Sequence, residues 1–310
     1  MTVINAKPFL KWVGGKSRLI PQLEDYFPKN FKKKNITEYH EPFLGGGAMF
    51  FYIAQKYSKY LEKAYLYDVN PELILTYKVV QNNVLDFIEA LEILEAKYYQ
   101  SSEKEREILF YEIRTEFNKN LSLVDKEKNK DKFLIERASQ LLFLNKTCFN
   151  GLFRVNSKGE FNAPFGKYKK PNILDKTNLL AVSKVLKIAE IKQGDFSILL
   201  KDVKENAFIY YDPPYRPITK TSNFVSYSKF SFNDEDQKKL SDLYKKLHKK
   251  KVYQLLSNSD SSSINPEDLF FQNLYDNKDF NFNRISASRM INCDGTKRGK
   301  ILELVINNYK

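Results

Sequence analysis

The spacing of apolar residues divides the chain into an α/β part, a helical part and a second α/β part. In the first part, helical spacing spans 17–26 and 48–57, a strand should end near 43–44, and 64–67 resembles a second strand. Pro71 suits the first turn of a further helix. The middle part predicts helices over 86–99, 104–117 and 132–146, followed by a polar and aromatic loop region over 148–171. Strand character returns over 207–211, 252–256 and 301–306.

This order of elements predicts an α/β protein whose doubly wound, mainly parallel Rossmann-like sheet is interrupted by a helical insertion. We expect residues 1–82 and 190–310 to form one domain and residues 83–189 to form the inserted helical domain. In such a sheet, ligands bind beyond the carboxyl ends of the strands.

Composition and net charge indicate a folded protein and suggest the kind of partner that it binds. Hydrophobic residues make up 42% of the 310 residues and charged residues 29%, which is typical of a chain with a real core. The formal net charge of +13 favours a polyanionic partner without establishing one. The two cysteines, Cys148 and Cys293, have no zinc-binding spacing, and no segment is long and apolar enough to span a bilayer. We therefore expect a soluble, cytoplasmic protein with reduced thiols.

The segment Asp212-Pro213-Pro214-Tyr215 follows the predicted strand over 207–211 and carries the clearest candidate chemistry. Two prolines remove two backbone donors and leave carbonyl oxygens and a carboxylate beside an aromatic ring. Such a group of acceptors suits a planar heterocycle that bears an NH₂ group, with the ring stacking on the heterocycle. A rigid turn with a capping aspartate is the structural alternative.

Two glycine-rich segments precede it. Glu41 to Gly47 (EPFLGGG) lies between a predicted strand and a helix, but Phe50 stands where the dinucleotide fingerprint needs Gly or Ala. Asp68 ends the next strand, where a carboxylate can bind ribose hydroxyls. The second segment, 9–17 (FLKWVGGKS), contains Gly-Lys-Ser, but Leu10 stands where a P-loop needs Gly, which excludes a P-loop ATPase.

In this order, the segments FLKWVGGK, EPFLGGG, DVNP and DPPY resemble those of the Dam family of DNA adenine methyltransferases, the D12 class in its α-group arrangement. More narrowly, the sequence is similar to GATC methylases, both solitary Dam enzymes and those of type II restriction-modification systems. The resemblance covers nearly the whole chain, from Lys7 to Ile306. It implies that the helical insertion recognises the target sequence and that S-adenosyl-L-methionine is the cofactor.

The resemblance also implies which residues bind that cofactor. Trp12 and Lys16 would approach it, and the loop with Phe43, Gly45 and Gly47 would pack around its methionine part. Asp68 would bind the ribose, and Asp195 and Phe196 would frame the adenine of the cofactor. Asp212 would lie between cofactor and target base. The target adenine would leave the DNA helix, with Tyr215 stacked on it. Asp212 and the Pro213 carbonyl would accept the N6 hydrogens, so that the nitrogen attacks the methyl group directly, without a metal.

The segment 149–171 resembles the DNA-reading loop and hairpin of Dam enzymes. This likeness places Arg154 on guanine, as a bidentate arginine would read it, Leu152 and Tyr168 on other bases, and Phe149 and Asn150 beside the flipped base. The remaining DNA contacts expected are Lys11, Asn223, Tyr227, Lys229 and Arg298. Phe149 departs from the tyrosine that Dam enzymes often carry, so any hydrogen bond of that hydroxyl is lost.

The partner implied is double-stranded DNA, with GATC as the site and a monomer as the acting form. A cognate restriction endonuclease would be a genetic partner only. Two alternatives stay open from the residues: a related enzyme that methylates adenine in RNA or N4 of cytosine, and a catalytically silent DNA-binding protein. The resemblance of the recognition segment to duplex-reading loops disfavours the first. Intact Lys16, Asp212 and Tyr215 disfavour the second.

Overall fold

The fold was analysed in a computed structural model, which describes residues 5–29, 31–33, 35–119, 131–217, 232–263, 265–288 and 300–310. Within these ranges, one sheet contains the strands β1 (Glu38–Glu41), β2 (Lys63–Asp68), β3 (Ala189–Gln193), β4 (Phe208–Tyr211), β5 (Tyr253–Ser259), β6 (Asn281–Ser288) and β7 (Lys300–Asn307). Their order is β3-β2-β1-β4-β5-β7-β6. Adjacent strands pair in parallel from β3 to β5, and β7 runs antiparallel to both of its neighbours.

Helices connect and cover these strands. They are α1 (Ile20–Leu23), α2 (Ala48–Lys56), α3 (Pro71–Asn82), α4 (Val84–Gln100), α5 (Glu103–Lys119), α6 (Asp131–Thr147), α7 (Lys176–Leu186), α8 (Leu199–Asp202), α9 (Asp234–Lys249) and α10 (Phe270–Leu274). Asn70 caps α3 by accepting hydrogen bonds from the amides of Glu72 and Leu73, and Pro71 occupies its first turn. Within the described residues, no helix has both the length and the apolar character needed to cross a membrane.

The sheet is buried on both faces. In β4, Phe208 and Tyr210 belong to one hydrophobic core, whereas Ile209 and Tyr211 belong to the other. This follows from the strand geometry, because successive side chains point to opposite faces. A parallel sheet covered on both sides requires apolar residues at every position, which explains the continuous apolar run of β4.

The strand order reverses at β1, which lies between β2 and β4. A crevice opens at such a reversal, outside the carboxyl ends of the strands, and it is the usual ligand site of this class of sheet. The glycine-rich loop 42–47 follows β1, Asp68 ends β2 and Asp212 follows β4. The fold therefore brings the three motifs to one edge of the sheet, as the predicted α/β class requires.

The helices α4, α5 and α6 form a group beside α3, and α6 lies centrally, with eleven of its residues buried. A buried ion pair joins this group to the end of the DVNP motif. Arg137 of α6, with 1% of its surface exposed, donates to Glu72 of α3 from Nε, at 2.9 Å, and from Nη2, at 2.5 Å. The same guanidinium donates to the carbonyl of Phe117 in α5 at 2.8 Å. The proposed division into residues 1–82 with 190–310 and 83–189 stays a prediction.

Most predicted elements are present, but helices α7 to α10 were not among them, and three further differences concern the first helix and the strands. The first predicted strand ends at Glu41 rather than near 43–44, because Gly45 and Gly47 turn the chain with positive φ. The helical spacing over 17–26 corresponds only to α1 and a 3₁₀ turn over Glu24–Tyr26. Strands β3 and β6 were not predicted, since polar residues alternate irregularly through both.

Candidate active site and DNA-reading surface

Asp212 lies at the carboxyl end of β4, at the crevice. Its Oδ1 is 2.8 Å from Nζ of Lys16, which is itself buried, and 3.3 Å from the hydroxyl of Ser257 in β5. The Ser257 hydroxyl is also 2.9 Å from that of Tyr210. Burial raises the pKa of Asp212, and the Lys16 ammonium opposes this rise. The pocket thus contains a desolvated carboxylate with one ammonium beside it.

Tyr215 forms the second wall of this pocket. The Nζ of Lys16 lies 4.3 Å from the centroid of its ring, within cation–π range. The Tyr215 hydroxyl donates to Glu303 in β7 at 2.7 Å. The Pro214 carbonyl accepts from Gln237 at 3.2 Å. The structure therefore brings together Lys16, Asp212 and Tyr215, which the sequence had suggested from separate motifs.

This arrangement favours a nitrogen that donates hydrogen bonds and carries positive charge. Lys16 places such a nitrogen between the Asp212 carboxylate and the face of the Tyr215 ring. An exocyclic amine that is losing electron density has the same needs, namely an acceptor for its hydrogens and an electron-rich ring nearby. The pocket can therefore hold an amine and stabilise positive charge that develops on it.

The glycine-rich loop after β1 is packed against Trp12. A Cβ on Gly45 would lie 2.9 Å from Cδ1 of the indole, and one on Gly47 would lie 2.6 Å from the Tyr77 hydroxyl. Both glycines have positive φ, 47° and 68°. These two positions therefore need glycine for conformation and for space. Trp12 also stacks on Phe153, with ring centroids 5.5 Å apart, so the loop is connected to the segment 149–171.

Asp68 is held by the same loop. Its two carboxylate oxygens accept the amides of Gly45, at 3.0 Å, and Asn70, at 2.9 Å. The Asp68 carbonyl also accepts the amide of Gly194 at 3.0 Å, which places the segment Asp195-Phe196 next to it. Burial raises the pKa of Asp68, and the backbone amides oppose that change. Each oxygen keeps acceptor capacity that could serve two hydroxyl groups.

Three aromatic rings pack together, and two of them, Phe43 and Phe196, lie in the segments that hydrogen-bond to Asp68. The ring of Phe43 is 5.9 Å from that of Phe196 and 5.6 Å from that of Phe232, while Phe196 and Phe232 are 5.9 Å apart. Asp195, which is exposed, accepts the amide of Ser197 at 2.8 Å and begins the turn that holds Phe196. A carboxylate next to a group of half-buried rings fits a nucleoside, whose sugar is polar and whose base is flat and apolar on its faces.

The expected DNA-reading residues gather at the end of α6. Phe149, with 54% of its surface exposed, and Asn150, with φ of 58°, form a tight turn after Cys148. The amide of Asn150 donates to the Tyr168 hydroxyl at 3.1 Å, and Nζ of Lys11 lies 5.1 Å from the centroid of the Tyr168 ring. The buried Asn145 fixes Lys11, since it accepts the Lys11 amide at 2.8 Å and donates to its carbonyl at 2.9 Å.

Arg154 lies further along, in a short hairpin that pairs Val155 with Phe161. Its Nε and Nη2 donate to the Asn162 side-chain oxygen, at 2.8 Å, and to the Asn162 carbonyl, at 2.9 Å. Its Nη1 makes no hydrogen bond to the residues that the structure describes. The guanidinium is thus held along one edge, and its outer edge remains available to an acceptor. Leu152, which is half-buried, lies between the turn and this hairpin.

Sequence reasoning missed two buried carboxyls at this site. Glu303 was overlooked inside an apolar strand, although an acidic residue in the run ILELVI is a usable signal. Glu41 is buried and accepts the Tyr39 hydroxyl at 2.7 Å, and burial raises its pKa well above the usual range. The predicted contacts Asn223, Tyr227, Lys229 and Arg298 lie outside the described residues.

Comparison with known proteins agrees with this geometry. Residues 12–292 match the family model of D12 class N6 adenine-specific DNA methyltransferases. The chain is similar to the Type II methyltransferase M.MjaIII of Methanocaldococcus jannaschii, with 46% identity over 99% of this chain and 100% of the relative. It is 37% identical to the Type II methyltransferase M1.LlaDCHI of Lactococcus lactis subsp. cremoris, over 99% of this chain and 96% of the relative.

A further relative is the DNA adenine methylase of Haemophilus influenzae, which is 32% identical over 96% of this chain and 92% of the relative. The family match covers the motif around Trp12, the glycine-rich loop and Asp212 together. The α/β fold, the grouping of Lys16, Asp212 and Tyr215 at the strand ends and these likenesses agree, and the chain belongs to the D12 class N6 adenine-specific DNA methyltransferase family.

Proposed function

We propose that this DNA adenine methyltransferase uses S-adenosylmethionine to methylate N6 of adenine in the duplex sequence GATC, after the adenine has rotated out of the helix. The observation that carries the proposal is the position of the Lys16 ammonium, 2.8 Å from Asp212 and 4.3 Å above the Tyr215 ring. A flipped adenine that stacks on Tyr215 could place its N6 amine at this position. Lys16 would then have to give up its contact with Asp212.

The residues present fit the proposed cofactor. Asp68 has acceptor capacity for ribose hydroxyls, and the rings of Phe43 and Phe196 offer apolar contacts to a base. Trp12 packs on the glycine-rich loop that binds Asp68, and Lys16 contacts Asp212. When bound, S-adenosylmethionine would supply an electrophilic methyl group.

The protein side of the reaction follows from the pocket. Asp212 would accept one N6 hydrogen and the Pro213 carbonyl the other, which would localise the nitrogen lone pair that otherwise delocalises into the adenine ring. The Pro214 carbonyl is engaged by Gln237 and would not compete for that role. Tyr215 would hold the base at a fixed angle. The proton that N6 loses would pass to Asp212 or to solvent.

The proposed specificity for GATC rests on the resemblance of the segment 149–171 to the DNA-reading loop of Dam enzymes, and on the contacts that hold it. Arg154 is oriented by Asn162 with one edge of its guanidinium open, as a bidentate contact to guanine needs. Asn150 and Phe149 are exposed at a turn beside Lys11 and Tyr168. Two relatives are named Type II methyltransferases, which supports a protective role beside a restriction endonuclease.

The test is to incubate the purified protein with S-adenosylmethionine and unmethylated plasmid DNA, then to map N6-methyladenine along the plasmid. Methylation confined to the adenine of GATC is the expected result. Methylation of adenine in another sequence would overturn the roles proposed for Arg154, Leu152 and Tyr168 but would support the proposed chemistry. Parallel reactions on single-stranded DNA and on RNA of the same sequence should give much less product.

A further inference from the structure

The geometry points to Glu303 as a positioning residue that fixes the plane of the Tyr215 ring through its hydroxyl. This inference rests on the proposed stacking of the target adenine on Tyr215. Glu303 is 7% exposed and lies in β7, opposite Ser259 of β5 and Ile285 of β6. Its Oε2 accepts the Tyr215 hydroxyl at 2.7 Å, which is the usual length of a hydrogen bond between a hydroxyl and a carboxyl group.

A glutamate at this position is unfavourable for the fold alone. The surrounding residues of β7, Leu302 and Leu304 to Ile306, are apolar, and burial raises the pKa of Glu303. In the part of the chain that the structure describes, no cation lies within ion-pair distance of Glu303; the Lys16 ammonium, which is paired with Asp212, only partly opposes the rise in the pKa of Glu303 that burial causes. Burying a carboxyl group without an ion pair costs free energy, and such costs persist where a functional site needs the group.

The hydrogen bond has a clear mechanical consequence. The backbone end of Tyr215 follows Pro213 and Pro214, whose φ angles are restricted by their rings. The hydroxyl end is held by β7, a strand on the far side of β5 from β4. Held at both ends, the ring keeps one face toward the pocket, where the Lys16 ammonium now lies. A ring with a fixed plane loses less entropy when a base stacks on it.

Ser257 is the other hydroxyl near this position, and it also forms a hydrogen bond with the Tyr215 side chain. Its oxygen is 2.9 Å from the Tyr210 hydroxyl and 3.3 Å from Asp212. A carboxyl group is the stronger acceptor for the Tyr215 proton, so Glu303 takes that proton while Ser257 stays oriented toward Asp212.

The first experiment compares Glu303→Met with Glu303→Gln in single-turnover methylation of a GATC duplex. Enzyme is in excess over DNA, and the S-adenosylmethionine concentration is saturating. Methionine fills a similar volume but cannot accept a strong hydrogen bond, whereas the glutamine amide oxygen can. We expect Glu303→Met to slow the transfer about tenfold, as the loss of one hydrogen bond would, with the KM for DNA little changed. Glu303→Gln should stay within about threefold of the natural protein.

The second experiment is a double-mutant cycle with Tyr215→Phe, which removes the same hydrogen bond from the other side and leaves β7 unchanged. Both single variants should slow the transfer by a similar factor, and the double variant should be no slower than either. If the double variant were slowed by the product of the two single factors, the inference would be overturned. A Glu303→Gln variant as slow as Glu303→Met would overturn it too. If Glu303→Met failed to fold, a natural transfer rate in Tyr215→Phe would overturn it as well.

Two further variants separate this inference from the proposed function. Asn307→Ala removes another buried, hydrogen-bonded side chain of β7, away from Tyr215, and should lower the melting temperature without slowing the transfer. Tyr215→Ala removes the stacking surface itself. If Tyr215→Ala is fully active, the proposed role of Tyr215 fails. If it is inactive while Tyr215→Phe and Glu303→Met match the natural protein, only the role of Glu303 fails.

Discussion

The pocket around Asp212 and the turn around Asn150 differ in how far their polar side chains are buried and bonded within the protein. In the pocket, polar groups are buried or half-buried and bonded to one another, as Lys16 is to Asp212 and Tyr215 is to Glu303. At the turn, Phe149 and Asn150 project from the surface, and the bonds that hold the turn use the Asn150 backbone and the Tyr168 hydroxyl instead. One region satisfies its functional groups within the protein, and the other leaves them available.

The difference follows from what each region must meet. A reacting amine needs acceptors that are already oriented and desolvated, so the sheet holds them at the ends of its strands. A DNA sequence is read through hydrogen-bonding groups on the bases, so a protein group that is proposed to read it must keep part of its hydrogen-bonding capacity free, as the outer edge of the Arg154 guanidinium does. Rigid backbone supports both, but only the second region can keep its side chains exposed.

The two regions are connected at three places. Trp12 stacks on Phe153, Asn145 holds the backbone of Lys11, and Arg137 binds Glu72 beside the cap of α3. Each contact joins Lys11, Trp12 or the start of α3 to α6 or to the segment 149–171. The segment 149–171, which we propose reads DNA, is thereby fixed relative to the pocket.

The largest expected effect comes from the pocket. Asp212→Ala should reduce single-turnover methylation by about a thousandfold or more, because a preorganised acceptor for the reacting amine is lost. Binding to GATC duplexes, measured by fluorescence anisotropy, should change little. Asp202→Ala is a matched control, since it removes a carboxylate that contacts Tyr67 and Lys192 outside the pocket, and it should keep its activity. Survival of activity in Asp212→Ala would contradict the proposed chemistry.

Breaking the connection between the regions should cost stability. Arg137→Met leaves the Glu72 carboxylate buried without its cation, which should lower the free energy of unfolding in urea by about 3–5 kcal/mol. Lys176→Met breaks an exposed pair with Glu92 and should change it by less than about 1 kcal/mol. Adding Glu72→Leu to Arg137→Met should restore part of the loss. A small effect of Arg137→Met alone would show that the pair does not fix the insertion.

A substitution in the segment 149–171 should reduce activity less than Asp212→Ala, and the reduction should depend on the DNA sequence. Arg154→Ala should cost about 1–3 kcal/mol of discrimination at the guanine of GATC, measured as the ratio of kcat/KM on GATC and on a duplex with that base pair replaced. Lys158→Ala, at the exposed tip of the same hairpin, should leave the ratio unchanged. An equal loss on both duplexes for Arg154→Ala would make Arg154 a phosphate contact.

The smallest effect expected is a displacement of the pH profile. Asp212 must be ionised to accept the N6 hydrogens, so kcat/KM should fall as pH drops through its pKa, which burial has raised. The Lys16 ammonium lowers that pKa, so Lys16→Met should move the acid limb to higher pH. Any loss of cofactor binding would lower the whole profile without moving it. An acid limb that stays in place, or moves to lower pH, would argue against ionised Asp212 as the acceptor.

Local periodicity, together with residues such as Pro71 and the glycines of the loop 42–47, was enough to predict the fold class, the order of the motifs and the helices before α7. It also placed Asp212 at a strand end, since an apolar run followed by two prolines has few other arrangements. Strands β3 and β6 escaped prediction because their pairing, and not their own pattern, makes them strands.

Which distant residues meet depends on the tertiary structure. Lys16, the pair Asp212 and Tyr215, and Glu303 come from three separate parts of the chain, and they converge where β4, β5 and β7 lie side by side in the sheet. Glu72 and Arg137 likewise meet only when α6 packs on α3. Contacts between residues far apart in sequence depend on strand order and helix packing, and the local sequence pattern determines neither of these.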